Sequence, residues 1–266
     1  NPGDSSNFKK ELSKYNVKVL YNPEFIAQGS IISDLRKADM VLIGKSNDIS
    51  KKEVNFIKNI YKKIQVNKPF FNELSYSSAE VVKLSINCFL TTKISYANLI
   101  GQILINLGSE AEVNLALKAI GDDTRIGNKY LKFGYGFGGP CLPRDNRALG
   151  SISKKMGINN NLGLVVDSFN KDHVIYIKDY LLKKNYKNLP FFFKSIVYKI
   201  DTDIITESHQ LKVFLEICKL KTLIFLKEKE IVIRQLEANY KISEFKNLKI
   251  IKSNKELPKK YFEVSI

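Results

Sequence analysis

Residues 77–107 keep one helical rhythm throughout. Val81, Leu84, Cys88, Ile94, Leu99, Ile103 and Leu107 share a stripe, and Ile86, Leu90 and Ile100 widen it. A helix that is apolar nearly all round must be buried in a core or shared with a partner subunit. A bilayer is not the expected surrounding: the longest charge-free stretch, residues 94–109, carries Asn, Gln, Ser and Gly and falls short of the roughly 18–20 apolar residues of a span.

The chain before this helix alternates strand and helix, as the tail of a parallel α/β sheet does. Residues 4–15 read as a short helix with Asp4 or a serine at its cap, and residues 17–21 and 40–44 as strands, the second closed by Gly44. Between them lies a loop with Pro23 and Gly29. Residues 48–64 are helical with Val54, Ile57, Ile60 and Ile64 on one stripe, and residues 69–71 are extended. After the long helix come a helix at 110–120, a glycine-rich loop at 127–139, and helices at 144–156 and 162–183. A second, smaller α/β unit follows, with strands at 191–198, 222–226 and 248–251 and helices at 211–220 and 228–240.

With 44% hydrophobic and 26% charged residues, the chain has the composition of a folded protein, and its 266 residues suit about two domains of ordinary size. The net charge of +16 comes from lysine, since only five of the 43 basic residues are arginine, and the lysines are spread along the chain. A nucleic-acid interface gathers basic and aromatic residues on one face, so no nucleic-acid partner is expected. Three scattered cysteines make neither a disulfide framework nor a zinc site, and no metal is expected. The polar N-terminus lacks an apolar signal core, which points to a cytoplasmic protein.

The sharpest chemical signal is Gly134-Tyr-Gly136-Phe-Gly138-Gly139-Pro140-Cys141-Leu-Pro143-Arg144-Asp145. Its glycines allow a backbone to approach a ligand closely. Cys141 falls at the mouth of a helix, where backbone N–H groups and Arg144 favour a thiolate, and Asp145 returns over the same turn. The plainer alternative is a glycine turn with an ordinary buried cysteine. Lys83 and Asn87, four residues apart on the long helix, project from one face, either into a cleft or as a snorkelling lysine beside a surface amide. Glu24 follows a strand in a loop, a position for a functional acid or a solvated one. His173 and His209 are remote in sequence from all these segments, so histidine general-base chemistry has little support. The glycine run at 134–139 does not follow a strand in a βαβ unit with a downstream acid, so it does not match the G-x-G-x-x-G fingerprint in that setting, and the chain is expected to hold no complete dinucleotide site.

Taken together, Asn22-Pro-Glu24-Phe-Ile-Ala-Gln-Gly29, Lys83-Leu-Ser-Ile-Asn87, Arg125-Ile-Gly127 and Gly136-Phe-Gly-Gly-Pro-Cys141-Leu-Pro-Arg-Asp145 resemble, in order and spacing, the UDP-glucose dehydrogenase family of nucleotide-sugar dehydrogenases. Tyr198-Lys199-Ile-Asp-Thr202, followed by Glu207-Ser208, fits the same pattern. The resemblance implies an α/β protein: a remnant of an N-terminal Rossmann domain (1–73), a central all-α domain built on the long helix (74–158), and a smaller C-terminal Rossmann-like α/β domain that binds UDP (159–266). It implies an N-terminally truncated member, expected to be inactive by itself, of a family that oxidises the C6 alcohol of a UDP-sugar, foremost UDP-glucose, to the uronate with two NAD in succession. Cys141 would be the nucleophile, passing through a thiohemiacetal and a thioester. Lys83 would steady oxyanion charge, Asn87 hold a water, Asp145 assist proton transfer and Glu24 serve thioester hydrolysis. Phe25, Ile26, Arg125, Tyr130, Lys132, Phe137, Gly138, Tyr198 and Lys199 would meet the substrate, Arg125 that of the neighbouring subunit. Gln28 and Arg144 would lie on the cofactor side. The helix 77–107 would form a homodimer core.

Departures from the family pattern are Gln28 for a second glutamate, Pro140 for serine, Arg144 for lysine, Thr206 for an arginine and Lys194-Ser195 in place of a strand glycine. Two alternatives stay open: a UDP-N-acetylhexosamine dehydrogenase, and a non-catalytic nucleotide-sugar-binding or dimerisation fragment without the NAD site.

Overall fold

The computed structural model describes residues 2–26 and 29–266, and these form two compact units, Asn1–Ile86 and Asn87–Ile266. In the first unit, helix α1 (Asp4–Leu12) and the short helix α2 (Ile31–Arg36) precede strand β1 (Met40–Lys45). Helix α3 (Lys51–Ile64) then crosses over to strand β2 (Phe70–Ser75), which pairs parallel to β1 from Met40↔Phe70 to Lys45↔Ser75. A capping box fixes the start of α3: the Ser50 hydroxyl accepts from the Lys52 N–H, and Glu53 reaches back to the Ser50 N–H. The core is Val41, Ile43, Ile49, Val54 and Tyr61. Tyr61 takes the place expected of Ile60 and Ile64, which are exposed, because 54, 57 and 61 follow the helical period more closely.

The expected strand at 17–21 reduces to one antiparallel bridge, Tyr21↔Gly44. The next rung fails because Pro23 has no N–H, and Asn22 Nδ2 donates to the Leu42 carbonyl in its stead (3.0 Å). On the other side the Val19 carbonyl is taken by the Tyr76 hydroxyl. Helix α2 falls where a plain loop is expected. The cap of α1 is Gly3 rather than Asp4 or a serine, and no side chain of the cap residue bonds there.

Helix α4 (Tyr76–Asn106) realises the long apolar helix almost to the residue and contributes to both units. In the second unit, Ala97 of α4 forms a core with Val113 and Leu117 of helix α5 (Val113–Asp122) and with Leu131, while Phe89, Tyr96, Leu99 and Ile103 stay exposed. Among the described residues α4 is the one helix long and apolar enough, by length and composition alone, to cross a membrane, and a third of that stretch is buried. A charge-free count understates it, because its lysines are spaced widely enough to leave a long apolar window.

Helices α6 (Leu142–Lys155) and α7 (Leu162–Lys184) lead to a four-stranded parallel sheet. Its strands are β3 (Phe191–Phe193), β4 (Ile224–Leu226), β5 (Leu248–Ile250) and β6 (Phe262–Glu263), in the order β5-β4-β3-β6. Helices α8 (His209–Cys218) and α9 (Glu230–Asn239) connect the first three. The strand expected over 191–198 stops after three residues, because the Glu228 carboxylate draws the Ser195 hydroxyl (2.8 Å) and the Ile196 N–H (3.0 Å) out of the ladder. Strand β6 has no counterpart in the sequence reading, being only two residues long. With β4 on one side of β3 and β6 on the other, the strand order reverses at β3, and segment 194–199 leaves from its carboxyl end. Ligands of open α/β sheets bind at such a reversal.

Candidate functional site

Cys141 is exposed and stands at the N-cap of α6, with no side-chain cap hydrogen bond of its own. One turn on, Asp145 is 2% exposed, and its carboxylate is held from two sides: Asn87 Nδ2 of α4 donates to Oδ2 (2.6 Å) and Arg144 Nε to Oδ1 (2.9 Å). The structure thus gathers Cys141, Asp145, Asn87 and Arg144 at the head of one helix. The other cysteines are different in kind. Burial pushes the Cys88 and Cys218 thiols up to about 12, so both stay protonated.

The glycine loop before Cys141 owes its composition to the protein's own atoms. A Cβ on Gly136 would lie 2.0 Å from Asn170 Oδ1, one on Gly138 2.5 Å from the Glu207 carbonyl, and one on Gly139 2.6 Å from the Tyr198 ring. Gly139 also has φ +80, a backbone that favours glycine. The loop is tied down by the Asn170 side chain, which accepts from Phe137 N–H and donates to Phe137 C=O (both 3.0 Å), and by Gly139 N–H donating to the Thr206 carbonyl (3.1 Å). Three of these four glycines make room for the protein's own α7, Glu207 and Tyr198. Phe137 and Gly138 are buried, so the Phe137 side chain packs inside.

Other expected contacts are placed as follows. Tyr130 and Lys132 are exposed and line a shallow groove of 260 Å³ with Ile94, Tyr135 and Ile266. Tyr198 lies against Gly139, and its hydroxyl is pushed above the usual range, chiefly by burial and then by Cys141 nearby. Lys199 is exposed on the segment after β3. Arg125 is exposed and ion-paired with Asp123 (2.6 Å), which raises its pKa further.

The first unit assembles its own group. Lys83 Nζ donates to the Glu24 carbonyl and sits 4.4 Å from the centre of the Phe25 ring, a cation–π contact. The Tyr61 hydroxyl donates to Glu24 Oε1 (2.6 Å), with Asn22 Oδ1 at 3.0 Å; burial, then Glu24, pushes Tyr61 up to about 12, so it remains a donor. Ile26 is exposed, and Gln28 lies outside the described residues.

Sequence reasoning missed several structural partners of the site. Glu80, buried, takes the Gly3 N–H (2.7 Å), the Ser5 N–H (2.8 Å) and the Ser5 hydroxyl, and so caps α1. An acid within an apolar helix was the available signal. Asn170, His173 and His209 form the wall behind the glycine loop, and nothing local in sequence links them to it. His173 is neutral by geometry, its Nε2–H donating to the Gly134 carbonyl (2.8 Å) and its Nδ1 facing Gln102 Nε2 (2.7 Å). Neither His209 ring nitrogen has a hydrogen-bond partner among the described residues.

Burial lowers His173 to about 4, and burial with the neighbouring His173 lowers His209 to about 3. The unfolded chain takes up protons near pH 6.5, so below that pH it binds protons that the native state refuses, down to the folded values. Stability should fall as pH drops through this window. Each histidine should cost about 2 kcal/mol between pH 7 and 5. Urea unfolding at the two pH values checks this, and His209→Leu should flatten the difference; an unchanged difference would refute the assignment.

Residues 4–65 match the family model described as UDP-glucose/GDP-mannose dehydrogenase family, NAD binding domain, and residues 77–172 match that family's central domain, together more than half of the chain. The chain belongs to the UDP-glucose/GDP-mannose dehydrogenase family. This makes it a member of a family of oxidoreductases whose cofactor is NAD. Among curated relatives, UDP-glucose 6-dehydrogenase TuaD of Bacillus subtilis (strain 168) is 36% identical over 177 residues, 65% of this chain and 36% of the relative. UDP-glucose 6-dehydrogenase of Rickettsia bellii (strain RML369-C) is 31% identical over 210 residues, 78% of this chain and 47% of the relative. The chain thus spans about a third to a half of the length of these relatives. A UDP-glucose dehydrogenase from the archaeon Pyrobaculum islandicum shares the fold, with TM-score 0.78 and 23% identity over 95% of this chain and 57% of that one. So does a UDP-D-ManNAc dehydrogenase from Pyrococcus horikoshii, with TM-score 0.70 and 20% identity over 98% of this chain and 69% of that one. Within the residues matched to the NAD-binding domain, the N-termini of α1 and α3 are met by the chain's own side chains. Glu80 closes α1, Ser50 and Glu53 close α3, and the Ser30 hydroxyl at the head of α2 is turned to Asp34.

Proposed function

We propose that this chain carries the sugar-side chemistry of a UDP-sugar 6-dehydrogenase, with UDP-glucose as substrate. The observation that supports it most is the exposed Cys141 at the head of α6, above a buried Asp145 that Asn87 and Arg144 hold in place. A thiolate is both a strong nucleophile and a good leaving group, which a route from aldehyde to acid requires. The C6 alcohol loses its hydroxyl proton and a first hydride to give the aldehyde; Cys141 sulfur adds to that carbon to give a thiohemiacetal, and loss of the hydroxyl proton and a second hydride leaves a thioester. Water then adds at the acyl carbon, the C–S bond breaks, and the carboxylate and the free thiol return. NAD, when bound, accepts the two hydrides.

Asp145 and Asn87 suit the handling of a proton and a water beside the sulfur, since Asn87 keeps the carboxylate fixed. Lys83 suits the steadying of oxyanion charge, and Glu24, with its Tyr61 hydrogen bond, the activation of water for hydrolysis. Tyr130, Lys132, Tyr198 and Lys199 would receive the UDP-sugar, the last two from the carboxyl end of β3. The same reading divides the chain at 1–73, 74–158 and 159–266. It makes the exposed face of α4, with Phe89, Tyr96 and Ile103 seven residues apart, the homodimer contact, and sets Arg125 against the partner's sugar.

Calorimetry of the chain with UDP-glucose, UDP-N-acetylglucosamine and NAD tests this. Weak binding of UDP-glucose is expected, with NAD at least about tenfold weaker because Glu80 takes the N–H groups at the head of α1 and a capping box closes α3. Preference for the N-acetyl sugar would move the assignment to the amino-sugar branch. Binding of neither sugar would leave only the dimerisation fragment.

A further inference from the structure

Cys141 lacks a side-chain hydrogen bond that would hold its place at the helix head, so its position depends on the loop before it. That loop leans on one residue. A Cβ on Gly138 would stand 2.5 Å from the Glu207 carbonyl, and the Gly139 N–H donates to Thr206, the residue before it. Glu207 itself has φ +53, a left-handed backbone that a side-chain-bearing residue seldom adopts without support. The support is ionic. Arg147, on the same helix α6 that Cys141 begins, donates from one guanidinium nitrogen to Glu207 Oε1 (2.7 Å), and Lys212 of α8 pairs with Oε2 (2.5 Å). Arg147 is braced in turn by Asp167 of α7 (3.2 Å), which also holds Lys171 (2.7 Å). The Arg147 guanidinium, with help from Lys212, keeps the Glu207 carboxyl down at about 2, so the pair stays charged throughout the physiological range.

We propose that Arg147 and Glu207 are positioning residues for Cys141: their ion pair holds Glu207 in its left-handed backbone conformation, Gly138 and Gly139 rest on that backbone, and the thiol is thereby kept in one place. The arrangement ties the start of α6 to the segment carrying Tyr198 and Lys199, so nucleophile and sugar-side residues are carried as one piece. The role given to Cys141 rests on the function proposed above, whereas the clamp itself needs no substrate to be tested.

Two readouts on the whole chain suffice. One is the ring-current-shifted NMR signal of Gly139, which lies against the Tyr198 ring. The other is the alkylation rate of Cys141 by iodoacetamide, followed by peptide mass spectrometry. Glu207→Ala removes the carboxylate and leaves a residue that resists φ +53, so the Gly139 signal should move towards an ordinary glycine shift and Cys141 should alkylate about threefold faster. Glu207→Gly also removes the carboxylate but tolerates that backbone, and should restore both readouts to within about twofold of the parent. Arg147→Met should behave as Glu207→Ala does, with Arg147→Lys in between. Readouts unchanged in Glu207→Ala or Arg147→Met would overturn the proposal, and so would failure of the glycine variant to restore them. Neither measurement involves a sugar or NAD, so absence of UDP-glucose binding would count against the proposed function and leave this clamp standing.

Discussion

Under the function proposed above, replacing Cys141 by serine in a full-length version of the enzyme should lower the oxidation of UDP-glucose to the uronate by at least about 10³-fold, the scale seen when a covalent nucleophile is removed. The sulfur has two tasks that oxygen performs badly at neutral pH. It must be ionised to add to the aldehyde, and it must leave from the acyl intermediate when water attacks. A serine hydroxyl at the head of α6 has no histidine beside it to take its proton. The two histidines of the chain are buried behind the glycine loop, held well below their usual pKa by that burial. Cys88→Ser and Cys218→Ser should leave turnover per folded molecule near the parent, since both thiols are buried and raised to about 12. Native-state labelling gives an independent check: iodoacetamide should modify Cys141 and leave Cys88 and Cys218 untouched until the chain is unfolded. A serine variant with near-parental turnover would remove the thioester route, and labelling of Cys88 before Cys141 would remove the site.

Much of this site was legible in sequence because its signals are local. Asn87 on the long helix, the glycine run and the cysteine before a proline-started helix are each local signals, and α4 and α6 form where the periodicity requires. What escaped the sequence is long-range. Asn170 meets Phe137 across 33 residues, and Arg147 meets Glu207 across 60, with no pattern joining them. Strand lengths escaped for a related reason. β3 ends where Glu228, more than thirty residues on, reaches back to Ser195 and Ile196, and the strand expected at 17–21 is cut short by Pro23 and the Asn22 side chain. Helix periodicity survives such interruptions because its hydrogen bonds close within the segment, whereas a strand exists only where its neighbour agrees to pair. The Glu24 group shows the same limit. Its acid was visible in the sequence, yet the Tyr61 hydroxyl on it comes from a helix that reads merely as a crossover.

Gly136→Ala should destabilise the second unit by about 3 kcal/mol or more, an overpacking effect at the upper end of its usual range. The new methyl would lie 2.0 Å from Asn170 Oδ1 and 2.4 Å from His209 Cδ2, far inside contact distance. Neither neighbour can retreat cheaply. Asn170 is held by both the N–H and the C=O of Phe137, so moving it leaves buried backbone groups unpaired. His209 is 2% exposed and packed against His173 and Tyr135. Two other glycines of the region calibrate the effect. At Gly134 a Cβ would meet nothing closer than 3.8 Å, so alanine should be tolerated within about 0.5 kcal/mol. At Gly127 there is open space but φ is +73, so only backbone strain of roughly 1–2 kcal/mol is expected. Urea midpoints of the three variants should therefore fall in the order Gly134, Gly127, Gly136, with Gly136→Ala lowest. Cys141 alkylation should change only in Gly136→Ala, because that loop leads into α6. A Gly136→Ala protein as stable as Gly134→Ala would mean that Asn170 and His209 yield to the methyl, and the glycine there would then have to be explained by a ligand rather than by the wall behind the loop.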